Sequence, residues 1–173
     1  MSALRIEPMA GRHLDAVMVI DRACYSHPWG AATWRSELAS DDRHHLVAVD
    51  ADRVVAHAGT LRQLDELHVT TVATHPDHRG QGLATRLLLE LLRTGAATGA
   101  AAATLEVRGT DRATQRMYGR LGFAPAGVRP GYYSAPTDDA VIMWLDDLPS
   151  AAAQARLDRV ADALAAPTPE PSP

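Results

Sequence analysis

Apolar and polar residues alternate over Leu4-Arg5-Ile6-Glu7, which predicts a short first strand. From Gly11 to Tyr25 the period changes. Leu14, Val17, Met18, Ile20 and Ala23 recur at helical spacing with one face to bury. Ser26-His27-Pro28-Trp29-Gly30 breaks that helix, and Thr33 to Ala39 predicts a second, shorter one. Trp29 either covers an end of the core or walls a substrate entrance; for an isolated Trp the structural role is preferred. Leu46 to Val49 and Val54 to Leu61 read as two strands joined at Asp50-Ala51-Asp52, an antiparallel hairpin. Leu67 to Thr74 predicts the next strand, and its alternation slips. Leu67 and Val69 are in phase, whereas Val72 is not. A β-bulge produces such a slip and leaves an amide unpaired. A strand buried on both faces fits the pattern equally well.

Further on, Leu83, Leu87, Leu88, Leu91 and Leu92 fall on one helical face and Arg86, Glu90 and Arg93 on the other. This helix starts near Gly82, packs on a sheet and ends near Gly95 to Gly99. In the strand Ala103 to Val107, the residues Ala103, Leu105 and Val107 share one face and Thr104, Glu106 and Arg108 the other. Asp111 is a plausible N-cap for a helix through Leu121, ended by Gly122. Ala124 to Val128, Tyr132-Tyr133 and Val141 to Leu145 supply the last strands, with a turn or kink at Arg129-Pro130-Gly131. This order predicts an α/β (α+β) chain, a mixed sheet of about six or seven strands with helices on both faces. Residues 1–148 form the domain, and 149–166 an alanine-rich helical extension with a thin stripe at Leu157, Val160 and Leu164. Residues 167–173 form a Pro-rich tail expected to be disordered.

The stretch from His75 to Leu92 carries the first chemistry. Gly80 and Gly82 let the backbone approach a ligand just where the first amides of a helix lack partners and the macrodipole is positive. A phosphate or pyrophosphate fits there, as does a plain Gly-rich turn. No Gly-Lys-Ser/Thr closes the loop, so it is not a Walker loop, and the third glycine of the dinucleotide fingerprint is missing.

Composition narrows the classes. A net charge of -4 does not suggest a nucleic-acid-binding face. One cysteine, Cys24, excludes a disulfide framework or a cysteine-built metal cluster and reads as a core residue. No leader pattern or long apolar run appears, so a cytoplasmic location without a membrane partner is expected. Among the histidines, His75 and His78 flank the loop, and His57 and His68 could be neighbours on adjacent strands. No HExxH pattern occurs, so solvated loop histidines and no metal are expected.

Arg79-Gly80-Gln81-Gly82-Leu83-Ala84 resembles the Arg/Gln-x-x-Gly-x-Gly/Ala signature of the GNAT acetyltransferases. Pro28-Trp29, Val72-Ala73-Thr74-His75-Pro76, Leu105-Glu106-Val107-Arg108, Met117 to Phe123 and Arg129 to Tyr133 extend the resemblance over roughly Leu4 to Leu145. More narrowly, the chain resembles the RimI type, which acetylates the N-terminal alanine of the small-subunit ribosomal protein S-eighteen.

The resemblance implies a mostly antiparallel GNAT sheet and acetyl-CoA as donor. Its pyrophosphate would sit on the amides of Arg79, Gly80, Gln81, Gly82, Leu83 and Ala84. Its pantetheine arm would pair with Val72, Ala73 and Thr74, and an amide near Val72 would serve as oxyanion hole. Glu106 matches the family's general base; without that match it would read as a surface-facing strand residue. A free α-amine near pKa 7.7–8.0 costs roughly 1 kcal/mol to deprotonate at neutral pH and a lysine ~4–5, so a carboxylate suits the former better. Tyr118 stands at the general-acid position, with core packing as its other reading. Tyr132, Tyr133 and Glu66 match substrate-side positions, and could equally form an aromatic edge and a solvated carboxylate. Asp111 replaces an asparagine common in relatives, so one pantetheine contact is lost or changed. The implied partner is a protein or peptide N-terminus, met by a monomer or weak homodimer. A small-molecule amine or lysine acceptor, or a non-catalytic CoA-binding module, are the alternatives.

Overall fold

The computed structural model of the chain describes residues 3–166. The predicted tail at 167–173 lies outside them. Seven strands, β1 (Arg5–Pro8), β2 (Arg43–Asp50), β3 (Arg53–Gln63), β4 (Glu66–Thr74), β5 (Ala102–Arg108), β6 (Ala124–Ser134) and β7 (Thr137–Leu145), form one sheet in the order β1-β2-β3-β4-β5-β7-β6. The helices are α1 (Leu14–Cys24), α2 (Ala31–Ala39), α3 (Leu83–Ala97), α4 (Arg112–Leu121) and α5 (Ala151–Ala165). Every strand pair is antiparallel except β4–β5. That pair is parallel because α3 is a crossover between them, and a parallel neighbour requires one.

The slip in the 67–74 pattern is a bulge. Val69 pairs with Thr60 and Thr71 with Gly59, so Thr70 is the extra residue. Leu67, Val69 and Val72 consequently share the face under α3, while Thr71 and Ala73 turn to the opposite face. The added bend separates β4 from β5. Their ladder holds only at Glu66–Ala102, Leu67–Ala103 and His68–Thr104, and beyond His68 the strands part.

Helices α3, α4 and α5 cover one face of the sheet, with Leu88, Leu92, Leu121 and Leu157 in one apolar cluster. Helices α1 and α2 cover the other, where Leu14, Val17 and Trp34 pack on Val47 and Val49. Trp29 joins this second cluster edge-on to Trp34, with ring centroids 5.0 Å apart. It covers the core, the structural role expected of it.

The stripe that α3 buries is wider than its leucine spacing predicts, because Leu89 is buried as well. The cause is α5, which docks across α3 and α4. Arg93 donates to Asp158 (2.7 Å), and Arg86, on the predicted polar face of α3, donates to the carbonyl of Leu164 (2.7 Å). Leu157 is fully buried in that contact. Leu157→Ala is expected to cost about 2–5 kcal/mol, read as a lower urea midpoint. A midpoint unchanged from wild type would mean that α5 adds nothing to the fold.

His75 and His78 sit partly exposed in the loop, as expected, and His57 does not. His57 is 0% exposed, not solvated, and its Nε2 lies 2.7 Å from Asp21 Oδ1. Trp34 Nε1 donates to the other oxygen of that carboxylate at 2.9 Å. His57 is also no neighbour of His68: across the β3–β4 ladder His57 faces Ala73, whereas His68 faces Leu61.

Candidate active site

Gly80 and Gly82 both adopt left-handed backbone, with φ 75° and 74°. Only glycine takes that conformation without strain. A Cβ at Gly82 would also stand 2.6 Å from Leu164 Cδ2. No side chain caps α3, and the first amide to bond back is that of Arg86, to Gly82 O at 3.0 Å. The amides of Gly80, Gln81, Gly82, Leu83, Ala84 and Thr85 donate to no group among the described residues. Six free amides at a helix N-terminus form a donor set that suits an anion. Arg79 reaches Cys24 Sγ (3.5 Å), which donates to the carbonyl of Thr74 (3.3 Å). Cys24 is therefore half-buried against the end of β4, not a core residue.

Where β4 and β5 part, the N–H and C=O of Val72 face the gap. Both are taken by Tyr25, at the C-terminal boundary of α1. The Val72 amide donates to the Tyr25 hydroxyl at 3.1 Å, and that hydroxyl donates to the Val72 carbonyl at 2.6 Å. Thr71 Oγ1 is 3.2 Å away. Burial pushes the Tyr25 phenol up to about 12, so it stays neutral. The amide expected as an oxyanion donor thus meets another acceptor only when Tyr25 moves aside. Nothing in the sequence marks Tyr25, a lone tyrosine after an amphipathic helix.

Glu106 is not a solvated strand carboxylate. Its side chain is 13% exposed, its Oε2 lies 2.6 Å from His68 Nε2, and its Oε1 lies 3.5 Å from Arg129 Nη2. Register explains the first contact. His68 stands opposite Thr104 at the last closed rung, and Glu106, two residues further, shares that face. Arg129 belongs to a register shift within one continuous β6, so of the predicted turn or kink at Arg129-Pro130-Gly131 the chain makes the kink, as a bulge. Asp139 holds it by accepting from the Gly131 amide at 2.8 Å.

Tyr118 on α4 is buried, edge-on to Phe123 with centroids 5.8 Å apart. Its hydroxyl has no hydrogen-bond partner among the described residues, and burial raises its pKa further, which keeps it a proton donor. Asp111 accepts from the Thr114 amide at 3.0 Å and so caps α4. The Arg108 guanidinium lies 4.3 Å above the Tyr133 ring. Tyr132 is half exposed and meets Tyr133 edge-on at 5.1 Å. Glu66 is exposed at the start of β4, two residues before His68 on the same face. The arrangement places a strand edge covered by Tyr25 and a half-buried carboxylate–imidazole pair at one gap in the sheet, with the free amides of the α3 N-terminus just beyond the end of β4.

The Acetyltransferase (GNAT) family model matches residues 14–123. The chain is 32% identical over 135 residues to the ribosomal protein bS18-alanine N-acetyltransferase of Escherichia coli, covering 76% of this chain and 90% of that one. It is 35% identical over 126 residues to the N-alpha-acetyltransferase RimI of Mycobacterium tuberculosis, covering 69% and 76% of the two chains. Among solved structures, the ribosomal-protein-S18-alanine N-acetyltransferase from Escherichia coli superposes with a TM-score of 0.77 at 29% identity, over 84% of this chain and 94% of that one.

Proposed function

Because the chain belongs to the GNAT family of acetyltransferases, we propose that it transfers the acetyl group of acetyl-CoA to the α-amine of an N-terminal alanine, that of ribosomal protein bS18 in the first place. The printed name of the Escherichia coli relative supports the bS18 alanine as acceptor, and that of the Mycobacterium tuberculosis relative supports an α-amine. The observation that carries the chemistry is the Glu106–His68 pair at 2.6 Å, at the point where β4 and β5 separate.

The donor supplies an activated thioester. The free amides from Gly80 to Ala84 suit its pyrophosphate, and Val72, Ala73 and Thr74 offer the strand edge for its arm. Arg79 is on the loop beside them. The paired carboxylate and imidazole remove a proton from the incoming ammonium, since only the free amine has a lone pair to attack. Tyr118, held neutral, protonates the departing sulfur. Transfer is direct, with both substrates bound at once, and Cys24 forms no acyl intermediate. Tyr132 and Tyr133 on β6, with Glu66, border the side from which a peptide N-terminus enters.

The test is CoA release with a peptide copying the alanine-initiated N-terminus of bS18, against the same peptide with its α-amine blocked and its lysines kept. Turnover is expected only with the free α-amine. An α-amine costs roughly 1 kcal/mol to deprotonate at neutral pH and a lysine ~4–5, which makes lysine the poorer acceptor. Equal turnover of both peptides would move the acceptor to lysine. No turnover of either, with acetyl-CoA still bound, would move it to small amines.

A further inference from the structure

We infer that the atom that accepts the amine's proton is Nδ1 of His68, with Glu106 acting through the imidazole. This rests on the acetyltransferase reading above and assigns the base within it.

An ionised carboxylate only accepts hydrogen bonds. In the 2.6 Å contact with Glu106 Oε2 the hydrogen therefore sits on His68 Nε2. The neutral imidazole then carries its lone pair on Nδ1. That atom has no hydrogen-bond partner among the described residues, and the side chain is 31% exposed. The carboxylate is in the opposite situation. It is 13% exposed, with one oxygen against the imidazole and the other facing Arg129 at 3.5 Å. The free basic lone pair of the pair is thus on the histidine. The charged groups around the ring are Glu106 from β5, Arg129 from β6 and Glu66 on the same face of β4, while β3 presents Leu61 opposite.

Proton affinities favour the same atom. A free imidazole has a pKa of about 6.5, a glutamate about 4.3 and an α-amine about 7.7–8.0. Transfer from the ammonium is then unfavourable by roughly 15- to 30-fold to an imidazole, and by roughly 2,500- to 5,000-fold to a carboxylate. Glu106 supplies the countercharge to the imidazolium and fixes its tautomer, the task of a carboxylate behind a catalytic histidine. The steps balance. One ammonium proton passes to Nδ1 and on to water. The amine lone pair forms the C–N bond, the C–S bond breaks, and the second nitrogen proton lost balances the one that the sulfur gains.

His68→Gln separates base from support, because the glutamine amide can still donate to Glu106 but has no basic atom. The expected result is a fall in kcat of about 100-fold or more, with the acetyl-CoA Kd from calorimetry and the melting temperature unchanged. Added imidazole is expected to restore part of the activity of His68→Ala. A kcat for His68→Gln within threefold of wild type would overturn the assignment and leave His68 a positioning residue. Loss of activity in both variants without imidazole rescue would overturn it too. Wild-type turnover of the free-amine peptide is the control. Its absence would sink the acetyltransferase reading and this assignment with it, whereas an active wild type beside an active His68→Gln sinks this assignment alone.

Discussion

Glu106→Gln is expected to lower kcat on the free-amine peptide by about 10²–10⁴-fold at neutral pH, the range of a general acid–base contribution, and to leave acetyl-CoA binding unchanged. The substitution is nearly isosteric, and the glutamine oxygen can still accept from His68 Nε2, so the 2.6 Å contact survives in form. What it removes is the negative charge. The imidazole then takes up a proton with no countercharge beside it, and the Arg129 guanidinium at 3.5 Å adds an unbalanced positive charge. Both effects lower the basicity of the pair. Glu106 lies outside the glycine loop, so donor binding through that loop is expected to persist. Steady-state kinetics with calorimetric binding reads the two quantities separately. A kcat within tenfold of wild type would remove Glu106 from the chemistry.

Asp21→Ala is expected to destabilise the fold by about 2–6 kcal/mol, the cost of leaving two buried donors unsatisfied at about 1–3 kcal/mol each. Asp21 is 2% exposed and joins three elements. It belongs to α1, accepts from Trp34 Nε1 of α2 at 2.9 Å, and meets His57 Nε2 of β3 at 2.7 Å. His57 Nδ1 already has no partner among the described residues, so the substitution leaves both ring nitrogens and the indole N–H without one there. A typical domain is stable by about 5–15 kcal/mol, so the loss is a large share of the total. Urea unfolding of both proteins measures it, and a loss under about 1 kcal/mol would show that the triad is not a strut. The site would feel the change as well. His57 faces Ala73 across the ladder, and Ala73 belongs to the strand proposed to take the donor's arm.

Local patterns in the chain carried most of the fold. The helical stripe of α3, the left-handed Gly122 that ends α4 at φ 110°, and the Asp111 cap are each decided within a few residues. The bulge at Thr70 left a trace of the same kind, the phase slip between Val69 and Val72, though periodicity alone could not separate it from a strand buried on both faces. Where several elements meet, the local reading failed. Cys24 looked like a core thiol, and His57 like a strand imidazole beside His68. Packing of α1 against β4 and β3 gave the first a carbonyl partner and buried the second.

By itself, then, the amino-acid sequence determined the order and type of the elements and the glycine loop leading into α3. Apolar spacing and backbone permissiveness act over one or two turns of chain. Tertiary structure alone decided which groups meet in the gap. His68 and Glu106 are 38 residues apart, and Tyr25 and Val72 are 47 apart. The first contact depends on a β4–β5 register set by the α3 crossover, and on a gap opened by one extra residue at Thr70. The second depends on how α1 lies across β4. A one-residue slip in either strand would turn His68 or Glu106 to the opposite face, because side chains alternate with a period of two. Composition and spacing do not encode that alignment; packing of both faces of the sheet does.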